Sequence, residues 1–164
     1  MTIVSFKNLI ISSLLLCMVC ITFTACNKLD IFEKNISVPN HQWAYSLQPQ
    51  IDFTISDTAA LYKVFVVLRH TDAYRYNNIW LNIGTRFPGN SSFKNQRFDL
   101  KLGNDASGWE GTGMDDIWEV RKLITAGPVK FKQPGNYSFI IAQAMRENPL
   151  PNIMSVGVRV ERVK

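Results

Sequence analysis

At 164 residues the chain suffices for one domain with a core of its own. Its 18 Lys and Arg against 13 Asp and Glu give a net charge of +5, yet the two signs are interleaved, as in Arg97-Phe-Asp99, Glu119-Val-Arg-Lys122 and Arg159-Val-Glu-Arg162. That is the pattern of a mixed solvated surface rather than a nucleic-acid footprint, so no nucleic acid is expected as a partner.

Met1 to Asn8 carry one positive charge, Lys7, and no acid; an almost unbroken apolar run then reaches Phe23, and Phe23-Thr-Ala-Cys26 closes it. This reads as a secretory signal over residues 1–25, because the run falls short of the roughly 20 apolar residues of a comfortable membrane span. A cysteine in that place resembles the lipobox of bacterial lipoproteins, whose thiol receives a diacylglycerol and becomes residue one after cleavage; Phe23 stands where Leu is commoner. Lipidation is therefore expected at Cys26. Cleavage there discards Cys17 and Cys20 and leaves 139 residues (164 minus 25) with a side-chain balance of +4 and no free thiol. An exported domain without a disulfide is held by its core alone. The Cys17–Cys20 spacing is that of a redox pair, but inside a signal core it is apolar filling.

Residues 26–40 show no clear period and end in Val38-Pro39-Asn40, which predicts a lipidated tether before a domain spanning 41–164. Trp43–Leu47 reads as a short strand stopped by Pro49, and Ile51–Ile55 alternates with three apolar residues on one face. Leu61–His70 has seven apolar or aromatic residues among its first eight, so it predicts a central strand covered on both faces. The polar loop Thr71–Asn78 follows, then Ile79–Ile83 as the returning strand, the two forming the middle of a sheet. Gly84 suggests a bulge, and Phe87–Ser92 a turn.

A strand is expected over Phe93–Leu100, a loop or irregular strand over the four glycines of Gly103–Gly113, and either a helix or a strand over Asp115–Ile124. Pro128–Lys132 reads as a charged edge strand and Gln133–Asn136 as a turn. Tyr137–Met145 is a second strongly apolar strand, Asn148–Asn152 a loop, and Val156–Val160 an alternating strand. About eight strands separated by Gly, Pro, Asn and Asp turns define an all-β fold. The expected architecture is an antiparallel β-sandwich, immunoglobulin-like or jelly-roll in topology.

Chemistry is hard to find. His41 and His70 lie 29 residues apart with no cysteine available after the cut, so no metal site is expected. Asp115-Asp116 lacks the spacing of a calcium loop. Glu110, Asp115, Asp116 and Glu119 supply the carboxylates a glycosidase needs, though acids near a tryptophan are common by chance. No nucleophile elbow, phosphate loop or dinucleotide fingerprint occurs. The reading is a non-enzyme without catalytic residues or cofactor. Binding residues are sought among the aromatics: Tyr74 and Tyr76 lie in a loop, where exposed rings mean contact with something, Trp80 alternates inside a strand and reads rather as core, and Trp109 reads equally as a contact or as a plug.

Several of these segments, taken in order, resemble the gliding-motility lipoprotein GldH family of Bacteroidetes. The carriers are Tyr62 through Leu68-Arg69, Asp72-Ala-Tyr74, Asn78, Gly108-Trp-Glu-Gly-Thr-Gly113, Gly135-Asn-Tyr137, Gln143-Ala-Met-Arg146 and Val156-Gly-Val-Arg-Val-Glu161, with the lipobox in front. The chain has Tyr-Arg-Tyr where relatives often show Tyr-Pro-Phe, and Trp-Glu-Gly where Trp-Leu-Gly is usual.

The resemblance implies a lipid-anchored component of the cell envelope associated with the gliding apparatus and its overlapping secretion machinery. It implies no activity and no catalytic residues. The expected role is a protein-interaction module for other envelope lipoproteins or that machinery. Its candidate interaction residues are Arg69, Asp72, Tyr74, Tyr76, Asn78, Trp109, Gln143 and Arg146, with Arg146 equally readable as a surface cap. The rival is a glycan-binding envelope lipoprotein. Asn27-Lys-Leu-Asp30 lacks a strongly acidic export tract, which favours the periplasmic face of the outer membrane over outward display.

Overall fold

The structure is a computed structural model that describes residues 31–163. The signal segment, Cys26 and the first residues of the tether lie outside them. In chain order the strands are β1 (Ile31–Ser37), β2 (Gln42–Trp43), β3 (Gln50–Ile55), β4 (Tyr62–Thr71), β5 (Asn78–Arg86), β6 (Lys94–Lys101), β7 (Gly103–Asn104), β8 (Gly108–Trp109), β9 (Thr112–Met114), β10 (Ile117–Leu123), β11 (Gly135–Gln143), β12 (Leu150–Pro151) and β13 (Ile153–Arg162). A short 3-10 turn, Pro39–His41, precedes β2.

One large sheet runs β1-β13-β4-β10-β9 and the other β3-β11-β5-β6, with the two-stranded pairs β12-β2 and β7-β8 beside them, every pair antiparallel. When only the strands of six residues or more are counted in chain order, the sheets read 1-8-3-6 and 2-7-4-5. That alternation of sequential strands between two sheets is the jelly roll, which decides between the two topologies the sequence left open.

β4 is the third of five strands, the central position its valines predict. Val64, Val66 and Leu68 face the opposite sheet and are buried. Its other face is covered by charge rather than by a layer. Arg69 and Arg121 both reach Glu119 at 2.7 Å, Arg121 continues to Glu33 at 3.8 Å, and Arg159 joins Glu33 at 2.6 Å and also Glu161. Val67, whose register partners are Arg121 and Gly157, is buried beneath this lattice of side-chain stems.

Several expectations are corrected. The tether 26–40 is not all linker: residues 31–37 are β1, paired with β13 over its whole length. The sequence hid this because β1 is an edge strand whose Phe32 and Ile36 are only half-buried. β4 and β5 are not neighbours in one sheet but face each other across the core; the six-residue connection 72–77 crosses between layers, and Ile79, Leu81 and Ile83 meet β4 from the far side.

Gly84 is not a bulge. It pairs in register with Asn95 and Ile140, and a Cβ there would lie 2.6 Å from Asn95 Oδ1 and 2.7 Å from Ile140 Cγ2. The register shift lies instead in β13, between Ile153 and Ser155. Residues 117–123 are strand, not helix, because seven residues of pairing to β4 outweigh a local period of three to four. Trp43–Leu47 contributes only β2 before a turn, Pro128–Lys132 makes one bridge, Tyr62 to Val129, and Asn148–Asn152 contains β12.

Candidate functional site

β4 ends at Thr71 and β11 at Gln143, and because both oppose β5 they end on the same side of the sandwich. The loops 71–78, 102–109 and 144–152 therefore converge at one end, and Gln143 and Arg146 lie there with Tyr74 and Tyr76. Hydrogen bonds lock the loops together. Leu102 N–H donates to Asn77 O at 2.7 Å, the Asn152 amide to Ala73 O at 2.9 Å, and Asp72 N–H to Asp116 O at 2.8 Å.

At the centre is Tyr74, which is a correction: it is 3% exposed rather than displayed. Its ring contacts His70 at 5.5 Å, Tyr76 at 5.6 Å and Trp109 at 6.2 Å, and its hydroxyl donates to Asn78 O at 3.0 Å. An aromatic flanked by Asp72, Arg75 and Asn77 reads as exposed, yet the loop folds back and uses it as a plug. Trp109 is half-buried with its ring edge-on to His70 at 4.6 Å, which makes it part of the same plug.

Tyr76 is half-buried and its hydroxyl donates to Glu147 Oε2 at 3.0 Å, while Arg75 donates to Glu147 Oε1 at 2.6 Å. Glu147 is the residue sequence reasoning missed. It follows Arg146 in a loop and carries no motif, so only the meeting of two distant loops exposes its role. Gln143 is 4% exposed and is spent on backbone: its amide donates to Glu147 O at 3.0 Å and to Trp43 O at 3.3 Å, and its oxygen accepts from Met145 N–H at 2.9 Å. Asn78 donates to Asp99 Oδ1 at 2.6 Å. Arg69 is drawn away onto the charged outer face. Of the named residues, Asp72 and Arg146 stay exposed at this end, beside Arg75.

Burial sets the electrostatics. Desolvation pushes the Tyr74 phenol well above its ordinary range, and the bond to Glu147 raises Tyr76. His70 is fully buried; desolvation lowers its pKa, only partly opposed by the 2.8 Å bond from Nδ1 to Thr71 O, and its Nε2 has no partner among the described residues. Among the described residues no three His, Cys, Asp or Glu are placed to hold a metal ion.

Fold and loops together define an eight-stranded jelly roll whose one end is cross-braced by aromatic and carboxylate contacts. The chain belongs to the GldH lipoprotein family, whose model matches residues 30–160. It is 30% identical over 150 residues to the gliding motility lipoprotein GldH homolog of Christiangramia forsetii, covering 87% of this chain and 90% of that one. It is likewise 30% identical over 155 residues to the gliding motility lipoprotein GldH of Flavobacterium johnsoniae, covering 90% and 94%. Membership makes it a lipoprotein associated with gliding motility. Among solved structures, a carbohydrate-binding module specific for non-crystalline cellulose aligns over 80% of this chain and 72% of its own, at 17% identity and a TM-score of 0.36.

Proposed function

We propose that the protein is a non-catalytic assembly component of the gliding machinery, anchored by lipid at Cys26 to the periplasmic face of the outer membrane. It docks to other envelope lipoproteins or to the associated secretion machinery through its braced loop end. The observation that carries this reading is polarity of placement. β1 begins beside Glu161, at the end of the sandwich opposite the loops 71–78 and 144–152. Five residues at full stretch reach about 17 Å, so a lipid on Cys26 holds the Ile31 end near the bilayer. The ten residues of β4 then carry the loop end roughly 33 Å further out. Rigid loops held at that distance lose little entropy on meeting a partner.

The test is crosslinking in intact cells with a C-terminally tagged, lipidated chain, followed by identification of what is recovered. Asp72→Ser, Arg75→Ser and Arg146→Ser together are expected to abolish recovery of gliding or secretion proteins while Tm stays within a few degrees, because the exposed Arg75–Glu147 pair is worth about 0–1 kcal/mol and the other two surface changes about 0.5 kcal/mol each. Unchanged recovery from a folded triple variant overturns the docking surface.

One observation favours the second reading, a glycan-binding lipoprotein. On the outer face of β5 and β6 a shallow trough of about 480 Å³ is floored by Gly84 and Ile140 and rimmed by Gln48, Asn82, Asn95 and Arg97, a set of planar donors and acceptors suited to sugar hydroxyls. The Trp80 ring beside it is occupied by Arg97, 4.6 Å from the ring centroid. Binding of the full chain to a polysaccharide, lost in Asn82→Ala, would establish this reading; silence across a broad glycan array removes it.

A further inference from the structure

We infer that the cavity between β5, β6 and the 124–132 segment binds an acyl chain carrying an anionic head group. The cavity measures about 330 Å³, within the roughly 300–1,000 Å³ of small-molecule sites. Its interior is apolar: Val64 and Ile83 are buried core residues, and the rings of Phe98, Phe131 and Phe139 complete the wall. A sugar or peptide would lay much of its polar surface against these apolar side chains and lose hydration there unrewarded. A hydrocarbon chain loses nothing.

Three lysines line the same cavity and are exposed, Lys94, Lys130 and Lys132, and no lining residue is acidic. The ion pairs among the described residues are held by Glu33, Asp52, Asp57, Glu110, Glu119, Glu147 and Glu161, and these three lysines take no part in them. Cations left unpaired among the described residues, beside an apolar opening, attract an anion whose body is apolar. A second sign is Thr125, which lines the cavity with an Oγ1 shielded from solvent and without a hydrogen-bond partner among the described residues. A head-group oxygen would satisfy it.

Position agrees with chemistry. Val129 bridges Tyr62 and Phe87 packs edge-on to Tyr137 at 5.9 Å, which places the cavity in the half of the sandwich from which the chain before Ile31 departs. Phe87, at 39% exposure, stands at the opening. This is the end held nearest the bilayer, where such amphiphiles are concentrated. The site lies away from the loop end, so its failure would leave the docking reading untouched.

The test uses the full lipidated chain in phosphatidylcholine nanodiscs, photolabelled in separate arms with a diazirine fatty acid and a diazirine phosphatidylglycerol, with labelled peptides mapped by mass spectrometry. Label is expected on the Ile124–Lys132 peptide and on β6, competed by laurate but not by dodecanol. Lys94→Gln, Lys130→Gln and Lys132→Gln together are expected to lower it about tenfold without loss of fold, since all three side chains are exposed. Thr85→Trp, which narrows the cavity, is expected to weaken it further. Whichever probe labels the site identifies the source as a free fatty acid or a bilayer phospholipid. Label spread over the surface by both probes, label unchanged in the triple lysine variant, or equal competition by dodecanol overturns the inference.

Discussion

Burial of His70 with one ring nitrogen unpartnered ties the loop end to pH. The unfolded chain protonates this imidazole near its ordinary value of 6.5, whereas the folded chain resists because burial lowers the folded value. Below that ordinary value the unfolded state binds a proton the folded state refuses, so stability falls as pH drops through the window between the two and levels off beneath it. Tm is expected to decline across this window in the wild type and to be flatter in His70→Leu. Equal slopes would mean the imidazole titrates alike in both states. The carboxylates act in a separate, more acidic window. Desolvation raises Glu33, but bonds from Arg159 and Asn35 outweigh it, and the Ser138 hydroxyl lowers Asp52, so both support folding until pH falls below their ordinary 4.5 and 3.8. At the same scale, Tyr74→Phe gives up one hydrogen bond at about 1 kcal/mol, while Tyr74→Ala opens the plug at about 3–5 kcal/mol. Urea denaturation of the two variants separates hydroxyl from ring.

At the scale of the element, β1 depends on a glycine it does not contain. A Cβ on Gly157 would lie 1.8 Å from Asn35 Oδ1 and 2.4 Å from Lys34 O, so β1 packs directly on bare backbone. The side chain of Asn35 can swing away, but the carbonyl of Lys34 cannot move without the strand. Gly157→Ala is expected to destabilise by about 1–3 kcal/mol, as overpacking does, and to raise hydrogen exchange selectively over residues 31–37. Uniform loss of protection across both sheets would contradict a local effect. The Glu33–Arg159 pair, only about one-fifth exposed on each side, pins the same strand to β13. Deleting residues 31–37 leaves the β13 edge open, and the variant is expected to self-associate in sedimentation measurements.

For the molecule as a whole, the proposed anchoring gives the ends of the jelly roll different neighbours, the Ile31 end toward the bilayer and the loop end away from it, and this is open to measurement. A dye on Asn90→Cys, in the loop after β5, is expected to be quenched by doxyl-labelled lipid, and a dye on Ala106→Cys, between β7 and β8, is expected to be spared. Equal quenching would mean that the sandwich lies flat on the membrane. The comparison is clean because the only other cysteine expected after cleavage, Cys26, is the lipidated one.

Much of this architecture is legible in the residues themselves. The valines of β4, the run Tyr137–Gln143 and the alternation of Val156–Val160 report burial on the faces they occupy, since side-chain period follows directly from strand geometry. The expected all-β class and the family both follow from that ordered set of segments. Other features depend on which strands become neighbours, and local pattern holds no information about that. β1 needed the backbone of Gly157 to become a strand, residues 117–123 needed β4 to become one, and Tyr74 needed Trp109 and His70 to be drawn inside. Glu147 and the lysine-rimmed cavity are assembled from segments tens of residues apart, so their chemistry exists only after the two sheets close. Local sequence determined the elements and their faces; the tertiary structure alone decided which polar and aromatic side chains are consumed as bracing and which remain free to bind.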